Sequence, residues 1–546
     1  MDSISGIRLS SVLAAAVFLA GDIATAARAH GGSPPTRMKV RDFGAAGDGK
    51  KDDTSRIQAS IDASSPNSVI DFGRGFVYRI SAPLMLKPFR RYTGASTIKL
   101  STEAASGTPM AIAPYTQTTG IEIDGLTWDA NGRGGVLLLD IGGSNAVPGD
   151  KIVIRNCVFR NTKPNPLSGA QTAIYDPVGL THSVIAGNAF INVGGGLDIT
   201  NPGDTAITDN SFDSVLQNNA IFIHVTSARR GQFSFGKNVV IARNKGTNLT
   251  RMAIEVFSET ADNPLSGMIV KANQFSAWNE AAAASTVAFG ISIVAGVQHR
   301  IEENVLTGGV GPIGIELGAA DSIITGNSIT DFDLGIVAQH YCDNATISKN
   351  KLTKQRIGGI QISNARNNPK LNLKIQSNYI ENSGHYGIGY NAATEYKGAE
   401  ISGNTILRQG GLLPDDNHQE FTGIQVQAGA VGPSSWTDNR VVQTAANPPS
   451  AFPFFGFAVM GGYAGNYFGG NRVESRSVNP HGAAFYLVNS RVLDGAVLEN
   501  NTFVSLERIA NIVLPPHFTS RNNAACNVRG NDPHVITATG ARCTRQ

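Results

Sequence analysis

The chain has 546 residues, of which 41% are hydrophobic, with 61 glycines and a formal net charge of +3. Such a chain can bury a large core, and its length alone predicts roughly three domains unless repeats extend a single one. The small net charge excludes a strongly basic nucleic-acid-binding surface, and no apolar stretch is long enough to span a bilayer.

Residues 1–29 have the pattern of an export signal. Arg8 precedes an apolar run over residues 9–20, and residues 27–29 have the small-x-small form of a cleavage site, with residues 24–26 as an alternative. The run is too short for a transmembrane helix. We therefore expect a secreted or periplasmic protein.

The start of the mature chain predicts a short capping helix. Asp53 or Thr54 can serve as its N-cap, and Ile57 and Ile61 fall on one face of it. The glycine-rich stretch at residues 42–49 predicts tight turns before the helix. Such a segment would cover the exposed first coil of a repeat structure.

An asparagine motif repeats along most of the chain. It consists of an apolar residue, small or polar residues, Asn, one further residue and usually another apolar residue, at intervals of roughly 22 to 35 residues. Short β-branched segments bounded by Gly, Asn and Asp indicate strands, so we expect one coil of a parallel solenoid per copy. In stacked coils the asparagines would form a buried ladder of amides. The thirteen asparagines are Asn156, Asn188, Asn210, Asn244, Asn273, Asn304, Asn327, Asn350, Asn378, Asn404, Asn439, Asn471 and Asn501.

A second repeated segment alternates apolar and variable residues. Alternation places one set of side chains in the core and the other on the outer face of a strand. The predicted core pairs are Leu197 and Ile199, Ile221 and Ile223, Ile254 and Val256, and Ile315 and Leu317. The predicted outward residues with ionisable side chains are Asp198, His224, Glu255 and Glu316.

A long motif near the start of the mature chain resembles a known family. The segment VRDFGAAGDGKKDDTSRIQASIDA, residues 40–63, is similar to the N-terminal signature of the pectate-lyase-like superfamily, which includes rhamnogalacturonase, polygalacturonase-related and epimerase-like proteins. The resemblance implies an all-β fold, a right-handed parallel β-helix, that acts on carbohydrate. The G-H-G and R-I-K elements of polygalacturonases are absent from the chain, so the reaction type does not transfer.

The fold prediction divides the chain into four segments. They are a signal peptide at 1–29, an N-terminal cap with the first coils at 30–100, the parallel β-helix at 101–510 and a C-terminal cap or tail at 511–546.

The outward residues suggest a glycoside hydrolase of polygalacturonase-like type acting on an acidic or complex glycan. Asp198, His224 and Glu255 fall on three successive coils, which would bring the two carboxylates within roughly 10 Å. Inverting hydrolysis uses two carboxylates about 6.5 to 9.5 Å apart. We expect Glu255 to act as acid, Asp198 as base and His224 in support. Asp176, one coil before Asp198, is a further catalytic candidate.

Several nearby residues are candidates for substrate binding. Arg229 and Arg230 follow His224 in a predicted loop and could pair with sugar carboxylates. Tyr175 and Phe222 offer ring surfaces, and Glu316 extends the acidic zone.

Two alternative functions remain open on the sequence. In a uronate-specific lyase or C5-epimerase, Tyr175 and His224 would transfer protons; the YDP motif with Asp198 and His224 is similar to the tyrosine, aspartate and histidine of mannuronan C5-epimerases. The other alternative is a non-catalytic glycan-binding shaft like that of tailspikes. We expect no metal or cofactor, with calcium only in the lyase case. The oligomeric state stays open between a monomer and a β-helix trimer.

The four cysteines divide into two groups. Cys157 lies in a strand-like segment and is expected in the core, whereas Cys526 and Cys543 lie close together in a polar tail. In an oxidising compartment we expect a disulfide between Cys526 and Cys543.

Overall fold

A computed structural model describes most of the chain from residue 35 to residue 526. The described ranges are 35–105, 107–113, 118–141, 148–163, 172–225, 237–258, 265–278, 287–294, 296–339, 341–363, 370–391, 396–409, 421–428, 434–444, 454–459, 465–475, 482–487, 495–504, 508–512 and 518–526. The predicted signal peptide lies outside these residues.

The described part contains one α-helix, Thr54–Ala63, and one 3-10 helix, Val40–Phe43. All other elements are strands. The strands up to Val215 are Arg37–Lys39, Asp48–Asp52, Val69–Ile80, Leu84–Met85, Arg91–Leu100, Ala111–Ile112, Glu122–Asp124, Thr127–Asp129, Leu139–Asp140, Gly149–Asp150, Val153–Arg155, Val158–Arg160, Thr172–Asp176, Leu180–Thr181, Val184–Ala186, Ala189–Val193, Gly195–Thr200, Ala206–Thr208 and Ser211–Val215. From Ile221 to Asn391 they are Ile221–Val225, Val240–Ala242, Lys245–Leu249, Ile254–Ser258, Ile269–Lys271, Gln274–Trp278, Ile291–Ile293, Arg300–Glu302, Val305–Thr307, Ile313–Leu317, Ile323–Thr325, Ser328–Thr330, Leu334–Ala338, Thr346–Ser348, Lys351–Thr353, Gly358–Ser363, Lys370–Leu371, Lys374–Gln376, Tyr379–Glu381 and Tyr386–Asn391. The remaining strands are Tyr396–Lys397, Glu400–Ser402, Thr405–Arg408, Phe421–Ala428, Ser435–Thr437, Arg440–Gln443, Phe454–Val459, Tyr467–Gly469, Arg472–Ser475, Ala483–Leu487, Ala496–Glu499, Thr502–Val504, Arg508–Ile512, Phe518–Arg521 and Ala524–Cys526.

The chain forms two compact units. The first comprises Met1–Leu216 and Ala228–Lys245, and the second comprises Gln217–Ser227 and Gly246–Gln546. Each is built from coils of short strands, and each strand pairs in parallel with the equivalent strand of the neighbouring coil. In the first unit, for example, Val184 pairs with Val153 and with Ala206. The predicted parallel β-helix is confirmed.

An asparagine ladder runs through the core of each unit. In the first unit Asn188 donates from Nδ2 to Asn210 Oδ1 at 3.0 Å, and Asn210 donates to Asn244 at 2.9 Å. In the second unit the same bond links Asn304 to Asn327 at 2.9 Å. Each Oδ1 also accepts the backbone N–H of the preceding rung. Because every amide group is bonded, these side chains can be buried at low cost. The rungs of the second unit are Asn273, Asn304, Asn327, Asn350, Asn378, Asn404, Asn439, Asn471, Asn501 and Asn523.

The ladder prediction is wrong for Asn156. This side chain is exposed and donates to Asp124 at 3.0 Å, whereas the backbone N–H of Cys157 donates to Asn188 Oδ1. The strand register pairs Val158 with Ala189, so Cys157 stands where the next coil has its asparagine. Asn523, which has Ser520 where the motif has its first apolar residue, is an additional rung.

The sharp corner beside the ladder is formed by the residue before each asparagine. Asp209 and Glu303 have φ angles of 58° and 56° there, and Gly187 has 66°. The ladder asparagines themselves do not have positive φ. The residue before the asparagine therefore makes the turn, and the asparagine contributes its amide to the ladder.

Aromatic rings fill the core of the first unit. Phe190 stacks on Phe159 with ring centroids 5.1 Å apart and on Phe212 at 4.7 Å. In-register coils bring identical positions together, so the rings stack as the asparagines do.

The N-terminal helix forms as predicted, with Ile57 and Ile61 buried. The N-cap residue is Asp53, but its carboxylate makes no capping hydrogen bond to the helix. It accepts the backbone N–H groups of Ala46 at 2.6 Å and Gly47 at 3.0 Å instead. Asp53 thus ties the preceding turn to the start of the helix.

Cys157 and Cys342 are buried and are not disulfide-bonded, while Cys526 is disulfide-bonded. Its predicted partner Cys543 is the only other cysteine of the chain and lies outside the described residues.

Candidate functional site

The strand parity predicted from the sequence is confirmed. All eight predicted core residues are buried, which leaves the alternate side chains on the outer face of the sheet. These residues are Leu197, Ile199, Ile221, Ile223, Ile254, Val256, Ile315 and Leu317.

Two glutamates of the second unit share one register position on the outer face. Glu255 pairs with Ser292 on the next strand, and Ser292 pairs with Glu316 on the strand after that. Neighbouring strands are about 4.8 Å apart, so the Cα atoms of the two glutamates are separated by roughly 10 Å. The three residues form a row in which a serine lies between two carboxylates.

Glu255 lies beside a cation and an amide donor. Arg251 Nη2 is 3.6 Å from Glu255 Oε2, and Asn219 Nδ2 donates to the same oxygen. The Asn219 amide is oriented by its own Oδ1, which accepts the Met252 backbone N–H at 3.3 Å. Trp278 Nε1 donates to the Arg251 carbonyl at 2.7 Å and holds that backbone in place. One carboxylate oxygen of Glu255 therefore has both a guanidinium group and an amide donor beside it.

Glu316 has a different environment. Burial raises the pKa of its carboxyl group above the ordinary value, and the charge of Glu255 raises it further. The hydroxyl of Ser292 and the amide of Gln339 donate to the two oxygens of Glu316 and oppose that rise. The net effect is a carboxyl group that keeps its proton to a higher pH than an exposed glutamate.

Three aromatic rings lie next to Glu255 on the same face. His224 stacks on Phe222 at 5.4 Å with an interplanar angle of 15°, and on Phe257 at 6.3 Å with an angle of 30°. Phe222 is the register partner of Glu255, and His224 is the register partner of Phe257. His224 therefore faces outward as predicted, but it stands two residues along the strand from the position of the glutamates.

The first unit has a second row with two carboxylates. Tyr175 pairs with Asp140 on one side and with Asp198 on the other. Burial and the neighbouring carboxylates raise the pKa of the Tyr175 phenol. Asp198 belongs to the first unit and Glu255 to the second, so their predicted pairing as acid and base stays a prediction.

Asp176 does not lie on the outer face. It pairs with Ile199, is 0% exposed, and its Oδ1 accepts the backbone N–H groups of Val178 and Gly179 at 3.1 Å each. Tyr175, and not Asp176, is the register partner of Asp198, and a catalytic role of Asp176 stays a prediction. Burial raises the pKa of Asp176 to about 7.

Several site features have no counterpart in the sequence prediction. Asn219 and Arg251 lie outside the alternating segments, and Asp140 lies in a two-residue strand, so no repeat pattern marks them. The predicted ligands Arg229 and Arg230 lie outside the described residues.

Among the residues that the structure describes, no group of three or more His, Cys, Asp or Glu side chains could hold a metal ion. No helix in the described part is long and apolar enough to cross a membrane.

Solved structures with a similar fold include enzymes and binding proteins. The catalytic unit of a thermostable GH87 α-1,3-glucanase from Streptomyces thermodiastaticus strain HF3-3 is 13% identical, with a TM-score of 0.42, over 74% of this chain and 70% of that one. A tailspike protein mutant of E. coli bacteriophage HK620 in complex with pentasaccharide is 12% identical, with a TM-score of 0.47, over 90% and 78%. The surface adhesin PfbA of Streptococcus pneumoniae is 15% identical, with a TM-score of 0.33, over 73% and 92%. At these identities the likeness concerns the fold alone.

Two family models match the sequence. One, described as rhamnogalacturonase A/epimerase, pectate lyase-like, matches residues 37–277, and the other, described as right handed beta helix region, matches residues 270–473. No curated protein sequence matches the chain. The two models together extend over residues 37–473, where the described strands form parallel coils, and the chain therefore belongs to the pectate-lyase-like superfamily of right-handed β-helix proteins.

Proposed function

We propose that the protein is an exported glycoside hydrolase in which Glu316 is the general acid and Glu255 the general base. The observation that carries this proposal is the row of Glu255, Ser292 and Glu316 on three successive strands. The match to the rhamnogalacturonase and epimerase model supports a carbohydrate substrate. An exported location rests on the signal pattern of the first 29 residues.

The two glutamates differ in the way that acid–base catalysis needs. Glu316, whose pKa is raised by burial and by the charge of Glu255, can arrive protonated and donate its proton to the leaving glycosidic oxygen. Glu255, next to Arg251 and Asn219, can accept a proton from water as that water attacks the anomeric carbon. This reverses the role that the sequence suggested for Glu255.

The spacing favours inversion of configuration. Retaining enzymes hold their carboxyl groups about 5 to 5.5 Å apart, and inverting enzymes about 6.5 to 9.5 Å apart, which leaves room for a water molecule. Two strand spacings separate the Cα atoms by roughly 10 Å, and side chains that lean toward each other can shorten the distance between the carboxyl groups. The pair is therefore suited to a single displacement by water.

The alternative of a lyase or epimerase that uses Tyr175 as its base has weaker support. A tyrosine that abstracts a proton must first be deprotonated, and burial together with the neighbouring carboxylates raises the pKa of Tyr175. The phenol is thereby disfavoured as a base. Calcium would be required only in that alternative.

Product analysis on a panel of neutral and acidic polysaccharides tests the proposal. New reducing ends without ultraviolet absorbance near roughly 235 nm are expected, because hydrolysis forms no unsaturated uronate. Unsaturated products would assign a lyase and contradict the proposal. Binding of a glycan that the wild-type protein does not cleave would assign a non-catalytic module.

A further inference from the structure

We infer that the three rings of Phe222, His224 and Phe257 form a binding subsite for a neutral sugar unit, so that the substrate is a neutral glycan. The inference rests on the proposed function in one respect, because it takes Glu255 and Glu316, which lie beside the subsite, as the catalytic pair. The sequence suggested an acidic or complex glycan, and this inference replaces the acidic glycan with a neutral one. We call these three rings the ring platform.

The ring platform has an accessible apolar surface. Phe257 is 39% exposed, and Phe222 and His224 are half-buried on the same outer face. His224 stacks on both phenylalanines, with interplanar angles of 15° and 30°, and Phe257 is the most exposed of the three rings. A pyranose has a face of C–H groups that matches such a surface, and small-molecule sites generally combine aromatic walls with a few polar groups.

The position of the ring platform relates it to the chemistry. Phe222 is directly opposite Glu255 on the neighbouring strand, and Phe257 lies two residues beyond Glu255 on the same strand and face. A sugar stacked on the rings would therefore have a neighbouring unit of the same glycan beside the Glu255 carboxylate. The ring platform is thus one subsite away from the bond to be cleaved.

The charge along the register row disfavours a polyuronate. Among the described positions of this row the two charged residues are the glutamates themselves, and Arg251 is engaged by Glu255. A uronate carboxylate within about 4 Å of an ionised glutamate would be repelled, and more strongly near a protein surface than in bulk water. The row consists of Phe222, Glu255, Ser292, Glu316, Val337, Gln361, Gly389, Gln425, Ala458 and Tyr486.

Amides and hydroxyls follow the glutamates on this face. Gln339 donates to Glu316, Ser363 Oγ lies 3.4 Å from Gln339 Oε1, and Tyr386 donates to Gln361 Oε1 at 2.6 Å. Amides and hydroxyls both donate and accept hydrogen bonds, which is what sugar hydroxyls require. The row, together with the amide and hydroxyl groups bonded beside it, thus offers ring stacking and neutral hydrogen bonding to a glycan.

Binding measurements on the full chain carrying Glu316→Gln test the inference without cleavage. The probes are neutral polymers (dextran, laminarin and galactan, extended by a neutral glycan array) and two polyuronates, polygalacturonate and alginate. We expect the tightest binding to a neutral glycan, with little change between low and high salt, because the ligand has no charge. Tighter binding to a polyuronate, or no binding to any neutral glycan, would overturn the inference.

Matched variants test the role of the rings. Phe257→Ala should weaken binding to the preferred neutral glycan about tenfold, which corresponds to the loss of about 1.4 kcal/mol of ring contact. His224→Phe keeps the stacked ring and should retain binding, whereas His224→Ala should not. Val305→Ala is the control, because Val305 is 42% exposed on another strand of the second unit. Unchanged binding in Phe257→Ala would overturn the inference.

Failure of the inference and failure of the proposed function give different results. Ring-dependent binding of a neutral glycan that the wild-type protein does not cleave would leave the inference standing and remove the hydrolase. Hydrolysis of a polyuronate would support the hydrolase and overturn the inference.

Discussion

The backbone N–H of Cys157 donates to Asn188 Oδ1 at 3.0 Å, so a cysteine occupies the rung before the first asparagine of the ladder in the first unit. Its Sγ lies 3.7 Å from the carbonyl oxygen of Ile123. In the next coil Asn188 Nδ2 donates to Ile154 O at 2.9 Å, which is the equivalent contact. The thiol therefore takes the place of an amide in an otherwise repeated network.

We predict that Cys157→Asn extends the ladder by one rung. The new amide could donate to Asn188 and Ile123 and accept from the Leu126 backbone N–H, which already contacts the thiol. Stability should rise by about 0.5 to 1.5 kcal/mol or stay unchanged. Thermal unfolding of the variant, with Cys157→Ala as the less stable comparison, measures this. A loss of stability greater than that of Cys157→Ala would contradict the network described here.

An interior rung should be costly to remove. Asn327→Ala leaves the Asn304 amide and backbone N–H without their acceptor, and we expect a loss of about 1 to 3 kcal/mol. Asn156→Gly is the matched control, because Asn156 is exposed, off the ladder and in the left-handed conformation that glycine adopts freely. Denaturant titration of both variants should separate them clearly, and equal losses would argue against the ladder as a source of stability.

Most of the fold could be predicted because the coils stack in register. Equivalent positions of successive coils therefore need the same kind of side chain, and the sequence repeats it. The ladder prediction was wrong at Asn156 because two successive residues of that coil, Asn156 and Cys157, each satisfy part of the motif. Alignment on the buried neighbours Ile154 and Phe159 would have identified Cys157 as the rung. Asn523 could not be found in this way, since Ser520 and Ala525 occupy the two positions at which the other copies have larger apolar residues.

The site was only partly predictable. Alternation correctly placed Glu255 and Glu316 on the outer face, since burial of one face fixes the parity of a strand. Asp176 was a candidate only because it lies one coil before Asp198; alternation from the buried Ile174 makes Tyr175 the outward residue and Asp176 an inward one. The contacts of Arg251 and Asn219 with Glu255 depend on how the coil folds back beside the strand, which no local pattern encodes.

Asp176 should make the stability of the protein depend on pH. Burial raises its pKa to about 7 in the folded chain, compared with 3.8 for a free side chain. The folded state therefore binds more protons than the unfolded state between these values, and stability falls as the pH rises from about 4 to about 7. In the wild type, this rise in pH should lower the free energy of unfolding by up to about 4 kcal/mol through Asp176. The Asp176→Asn variant should lack that change. Melting temperatures at pH 4.5 and pH 8 test this, and parallel profiles for the two proteins would contradict it.

The hydrogen bond from Ser292 should set the alkaline limit of activity. The Ser292 hydroxyl lowers the pKa of Glu316 by donating to its ionised form. In Ser292→Ala the pKa of Glu316 should rise further, so the alkaline limb of the kcat/KM profile should move to higher pH. The acidic limb, which reports the base, should move less. An alkaline limb that stays in place would mean that Glu316 is not the acid.

The rate of glycan hydrolysis by Glu316→Gln, Glu255→Gln and Asp198→Asn most directly tests the assignment of the glutamate pair. Each substitution keeps the shape of the side chain and removes the titrating group. We predict that both glutamate variants lose turnover by about 10² or more while their melting temperatures are retained, and that Asp198→Asn keeps most of its activity. Full activity in Glu316→Gln, with loss of activity in Asp198→Asn, would contradict the account and assign Asp198 as the partner of Glu255.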